Sequence, residues 1–280
     1  MASLQFRTIL VISLGGAILI ATTLAAQTTV ARISSRPLPL PQQMADLESH
    51  VLQNPEDIDA RVELLQLYLD SAPLPPNDDA GRRSVRLQYI LYLVERHPEA
   101  TVSASKAAYV YRAKGPYANA EDHDAVREQW LAAVQAHPKN NAIAMNAVKF
   151  LEVEDKEDAE EVLRRGMDAD PENREIAANL GFLYALGILG STPDLASHAT
   201  AELEQSSNAI VLAAAGTALP NLAKSASGAH LTDQKIFALA SELSARARQL
   251  APDDKDIQGP MPLIQYFIAA QDGLGAAGSR

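Results

Sequence analysis

Ser103 and Lys106 stand three residues apart, the spacing at which a helix brings a serine hydroxyl against a lysine that could act as its base. The "SDN" and "KTG" segments that complete such a site are absent, so the pair does not support nucleophilic catalysis. "EDHD", Glu121 to Asp124, carries donors for a hard or borderline metal, but four consecutive side chains rarely converge on one ion. It reads as the solvated start of a helix, with acids at the positive end of the dipole. "DADPEN" lacks the glycine of a calcium loop and has no acid at its twelfth place. "GLGAAG", Gly273 to Gly278, has the spacing of a dinucleotide fingerprint, but only Ser279 and Arg280 follow it, leaving no helix to open. His97 and His137 each precede a proline at a helix end, where an imidazolium suits the dipole. The expectation is no catalytic residue, no metal ligand and no cofactor, and a chain that is not an enzyme.

Composition narrows the elements that could position any site. The 280 residues contain no cysteine, which removes disulfides, thiolate metal sites and catalytic thiols. Ala and Leu carry most of the apolar content and β-branched clusters are few, which favours an all-α chain. Met1 to Arg36 holds three arginines and no acid, so the remainder has 21 basic against 35 acidic residues, a net of −14. A body with that charge is not expected to bind nucleic acid, which would need a basic face to displace counterions.

From Thr8 to Ala26 run 19 uncharged residues, close to the roughly 20 that a helix needs to cross a bilayer. Residues 1–31 are therefore expected to be a signal peptide or a transmembrane anchor; Thr23, Ala25, Ala26, Thr29 and Ala31 offer cleavage sites, and both outcomes stay open. Either implies export, with the body periplasmic or secreted after cleavage, or membrane-anchored and extracytoplasmic. Pro37, Pro39 and Pro41 mark residues 32–44 as an extended linker.

The body repeats. Six residues after Pro55, Pro98, Pro138 and Pro171 begins a stripe at i, i+3, i+4, i+7: Arg61, Leu64, Leu65, Tyr68; Ala104, Ala107, Ala108, Tyr111; Ala144, Ala147, Val148, Leu151; Ala177, Leu180, Gly181, Tyr184. A fifth, Leu212, Ala215, Gly216, Leu219, follows Ser206 in the proline's place. A second helix of each unit is anchored from its end by steps of seven and five: Val126, Ala133, Pro138; Ala159, Gly166, Pro171; Ala240, Ala247, Pro252; and, with poorer residues, Arg86, Leu93, Pro98. Small residues in mid-stripe let a partner helix approach closely, so each stripe predicts the buried seam of a helical hairpin.

With "AANLGFLY" and "DAEEVLRRGMDADP", this pattern resembles the tetratricopeptide repeat (TPR) family, W-x2-L-G-x2-Y, then A-x3-F, then P over about 34 residues. The resemblance implies an all-α, TPR-like α-solenoid of about five hairpins and a partial first unit over residues 45–254, preceded by one apolar helix. Residues 255–270 are expected as a capping helix and 271–280 as a flexible tail. Anchors lie 43, 40, 33, 35 and 46 residues apart, which places extra residues in three loops: "SAPLPPNDDAG", "KGPYANAED" and "LAKSASGAHLTD".

In proteins of this family the first helix of each hairpin lines an inner groove. That implies partner-binding residues Tyr109, Met145 and Phe182, which would hold an apolar side chain, and Arg112 and Lys149, which would pair an acid. Ordinary packing between repeats is the competing reading of the apolar three. Ser105, Tyr109, Asn146, Glu175 and Asn179 occupy the places of the family's carboxylate clamp, where Glu175 would repel such a ligand. The function expected is a protein-binding adaptor, scaffold or assembly factor of the bacterial cell envelope, with protein or peptide partners, membrane contact through residues 8–26 if uncleaved, and no nucleic acid. The alternatives are an accessory subunit of an envelope enzyme complex such as cytochrome assembly, or a hydrolase.

Overall fold

The computed structural model describes residues 40–72, 80–190, 192–223 and 233–259. By its contacts the chain divides into Met1–Leu38 and Pro39–Arg280, and the described residues belong to the second unit. They form eleven α-helices: α1 (Leu40–Gln53), α2 (Ile58–Asp70), α3 (Ala80–Arg96), α4 (Ala120–Ala136), α5 (Asn141–Glu154), α6 (Lys156–Ala169), α7 (Arg174–Leu189), α8 (Pro193–Gln205), α9 (Ala209–Ala223), α10 (Asp233–Leu250) and α11 (Lys255–Gln258). No strand occurs among the described residues. The chain is all-α there, and none of these helices is long and apolar enough to cross a membrane. The apolar run Thr8–Ala26 and the tail 271–280 lie outside the described residues.

The constant step from each proline to its stripe has a local cause. Two residues after Pro55, Pro138, Pro171 and Pro252 stand Asp57, Asn140, Asn173 and Asp254, and each side chain accepts a backbone N–H of the helix that follows. Asn208 caps α9 in the same way after Ser206. A capping side chain satisfies an N–H that would otherwise be orphaned, and so fixes where the first helix of each unit begins.

Pro98 breaks the rule, because Ala100 stands at the capping position and has no side-chain acceptor. The expected helix over Ala104 to Tyr111 does not form. Two short 3₁₀ turns, Thr101–Ala104 and Lys106–Ala108, lead instead into an extended stretch. Its carbonyls are taken by tertiary donors: Arg86 from α3 donates to Ala107 and Tyr109, both at 2.7 Å, and Asn146 from α5 donates to Pro98 and Ala100. Ala107 and Ala108 are buried nonetheless, so the stripe's apolar content survives while its helical geometry does not.

The other four stripes are buried as the spacing predicts. A Cβ on Gly181 would lie 2.2 Å from the Val211 carbonyl oxygen, and one on Gly216 would lie 2.9 Å from the Ala240 oxygen, so both glycines permit backbone contact between helices. Arg61, in an apolar position, is buried by laying its guanidinium 3.8 Å over the Tyr92 ring while donating to the Pro55 carbonyl. Helix α1 joins α2 through a small separate core of Met44, Val51, Leu64 and Tyr68. It begins inside the expected linker, with Pro41 in its first turn, where the missing N–H has no intrahelical acceptor to lose. Of the expected 255–270 cap, Lys255–Gln258 forms α11, and residues 260–270 lie outside the described residues.

Candidate partner-binding surface

Of the five residues expected to meet a partner, three are in the core: Tyr109 is 9%, Met145 8% and Phe182 4% exposed. Tyr109 is wedged between the Phe150 and Tyr111 rings and donates to Glu154 at 3.2 Å. Its burial, with Glu154 beside it, pushes the phenol well above its ordinary value. Arg112 is held within the chain: its guanidinium pairs with Asp155 and Asp124, both at 2.8 Å, and its backbone N–H donates to Glu154. Lys149 is half-buried on α5. Among the clamp positions, Asn146 holds backbone carbonyls, Asn179 donates to the Glu175 carbonyl, and Glu175 accepts from Asn141. Tyr109 and Arg112 converge on Glu154–Asp155, whereas Met145 and Lys149 belong to α5 and Phe182 to α7.

The "EDHD" segment opens α4 as expected, with Asn119 capping it and Glu121 exposed, but His123 is fully buried. Its Nδ1 lies 2.6 Å from the Val110 carbonyl oxygen and its Nε2 2.6 Å from Asp155, and the ring stacks on Phe150. A His–Asp pair is the orienting half of a nucleophilic triad, yet here the other nitrogen faces a carbonyl instead of a hydroxyl. The arrangement ties α4, the extended stretch and the α5–α6 turn together. His123 shares a face with Val126 and Trp130, three and seven residues on, and that periodicity was the signal of its burial. Ser103 is likewise structural, buried and donating to the His97 carbonyl at 2.7 Å, while Lys106 is exposed.

A cavity of about 540 Å³ opens between α6, α7 and α8. Its floor includes Leu183, Leu195 and Ala199, and Lys156, Glu157, Glu160, Asp194 and His198 line it. Gly187 brings α7 against α8, where a Cβ would meet that of Ala199 at 3.2 Å. Burial alone would raise Glu160, but hydrogen bonds from Arg164, His198 and Tyr184 outweigh it and hold the carboxyl below its ordinary value. Ligand atoms of Glu160, His198 and Glu202 lie within 4.8 Å of one another, as a metal site requires. Arg164 reaches both carboxylates and the Tyr184 hydroxyl, so a metal would have to displace a guanidinium already neutralising them. This cluster had no signal in the sequence, since 38 residues separate Glu160 from His198.

The chain matches no family model and no curated protein sequence.

Proposed function

We propose that this chain is a non-enzymatic protein-binding module, a TPR-like α-solenoid serving as adaptor, scaffold or assembly factor in the cell envelope. The observation that carries the reading is the cavity between α6, α7 and α8: an apolar floor rimmed by exposed Glu157 and Asp194, on a body of strongly negative net charge. Such a slot suits an apolar side chain flanked by a basic residue of a protein segment, with hydrophobic burial supplying affinity and the acids supplying register. The solenoid reading is supported by the recurrence of cap and buried stripe through α2, α5, α7 and α9, with a proline before the first three, and by glycines at the closest approaches. Export is supported by the uncharged run Thr8–Ala26.

The test is affinity capture of the tagged full-length protein from native membranes, beside the variant Glu157→Lys/Asp194→Lys. Both side chains are exposed, so the variant should fold normally and lose a defined, saturable partner. Capture unchanged by the reversal, or turnover of a hydrolase substrate by the purified protein, would overturn the reading.

A further inference from the structure

Glu160 on α6 and His198 and Glu202 on α8 bring three ligand atoms within 4.8 Å of one another. His198 and Glu202 stand four residues apart, so one turn of α8 presents an imidazole and a carboxylate to the same side. The His198 Nε2 already lies 2.9 Å from a Glu160 oxygen. Donors of a tetrahedral ion bound at about 2.0–2.2 Å sit roughly 3.4 Å apart, so closing the set requires shifts of only about 1 Å. His198 and Glu202 are both accessible enough to make them.

The position favours positive charge. Glu160 is held below its ordinary value although burial works against ionisation, and Arg164 supplies the cation, reaching Glu160, Glu202 and the Tyr184 hydroxyl. One guanidinium leaves two carboxylates undercompensated, whereas a divalent ion balances both. The Arg164 side chain is half-exposed, so it is rehydrated on leaving, and Tyr184 keeps its bond to Glu160. Arg164 is thus a competitor that an ion can expel. An imidazole with two carboxylates is a donor set of borderline hardness, which suits Zn2+, Co2+ or Ni2+ better than Mg2+ or Ca2+. Glu160 and His198 also line the cavity between α6, α7 and α8, which leaves the fourth position of the ion open to water there.

We propose that Glu160, His198 and Glu202 form a site for a divalent transition-metal ion of the Zn2+ class, with Arg164 holding the carboxylates until the ion enters. His198 ligates through Nε2 and so carries its proton on Nδ1. Bound there, the ion pins α8 to α6 along one wall of the cavity. The site uses neither Glu157 nor Asp194, so it stands or falls separately from the partner-binding reading.

The full-length protein, purified without a polyhistidine tag and stripped with EDTA, is titrated with Zn2+ by calorimetry. One equivalent is expected to bind with a dissociation constant below about 10 μM, undiminished by millimolar Mg2+. His198→Ala and Glu202→Gln, with helicity preserved, should each weaken binding about tenfold or more, and Arg164→Met, which removes the competitor, should tighten it about tenfold. Zn2+ should also raise the thermal unfolding midpoint of the parent chain and not that of His198→Ala. No saturable binding by the parent chain, binding confined to Arg164→Met, or an affinity that neither His198→Ala nor Glu202→Gln changes would overturn the proposal.

Discussion

Arg86 on α3 donates to the backbone carbonyl of Tyr109 at 2.7 Å, a contact between two residues that the repeat pattern assigns to the second helix of one unit and the first helix of the next. The same guanidinium holds the Ala107 carbonyl and lies 5.6 Å from the Tyr117 ring centre. Burial lowers Arg86 to about 10, so it remains charged at neutral pH. Arg86→Met should leave two buried carbonyls unpaired and cost about 2–4 kcal/mol. Arg86→Lys should recover less than half of this, because an ammonium lacks the planar fork. Urea unfolding midpoints measure both.

Gly181→Ala tests whether close approach of α7 and α9 is required. Helix propensity alone would favour alanine by about 1 kcal/mol. The added Cβ, however, meets a backbone oxygen at 2.2 Å that cannot rotate away. The clash should win, with net destabilisation of about 1–3 kcal/mol by thermal or urea unfolding. A stabilised variant would show that the two helices separate freely.

The capping rule predicts that Asn173→Ala, which leaves the Ile176 N–H without its acceptor, costs about 1 kcal/mol of stability. Ala100→Asn restores a cap where none exists. It should not convert the 3₁₀ turns to helix, because Arg86 and Asn146 already hold the carbonyls there. Circular dichroism at matched concentration would reveal any gain in helix.

Glu152 and Glu160 should give pH dependences of opposite sign. Burial raises Glu152 from 4.5 to about 7, so the folded state binds a proton that the unfolded state has released, and stability falls as pH rises across that window. Glu152→Gln should thus stabilise the protein relative to the parent at pH 8, by up to about 3 kcal/mol, and be nearly neutral at pH 4. Glu160 is lowered, so its contribution is present above 4.5 and disappears as pH falls through the lower folded value. Glu160→Gln should cost about 1–2 kcal/mol at pH 7, and less as acid is added. Denaturant unfolding of both variants at pH 4, 6 and 8 checks the signs.

The second enlarged loop shows where loop length misleads. As an insertion at a hairpin turn, "KGPYANAED" invites reading as part of an exposed ridge. In the structure Tyr117 adopts a left-handed backbone, φ 54°, and is buried with its hydroxyl donating to the Tyr68 carbonyl on α2. The first and third loops fall largely outside the described residues.

By itself the sequence determined what is periodic and local. Proline, cap and stripe recur at fixed steps because a helix start needs an acceptor and a helix face needs apolar residues every three or four positions; the same spacing predicted a helix over Ala104 to Tyr111 that does not form, since Arg86 and Asn146 take backbone carbonyls there. Only the tertiary structure decided which side chains are reachable. Tyr109, Met145 and Phe182 occupy groove positions by spacing yet are buried, because burial depends on what other segments lay over a face. The Glu160–His198–Glu202 cluster and the His123–Asp155 bracket draw on residues tens of positions apart, and such proximity is created by packing three helices, not by any spacing along one.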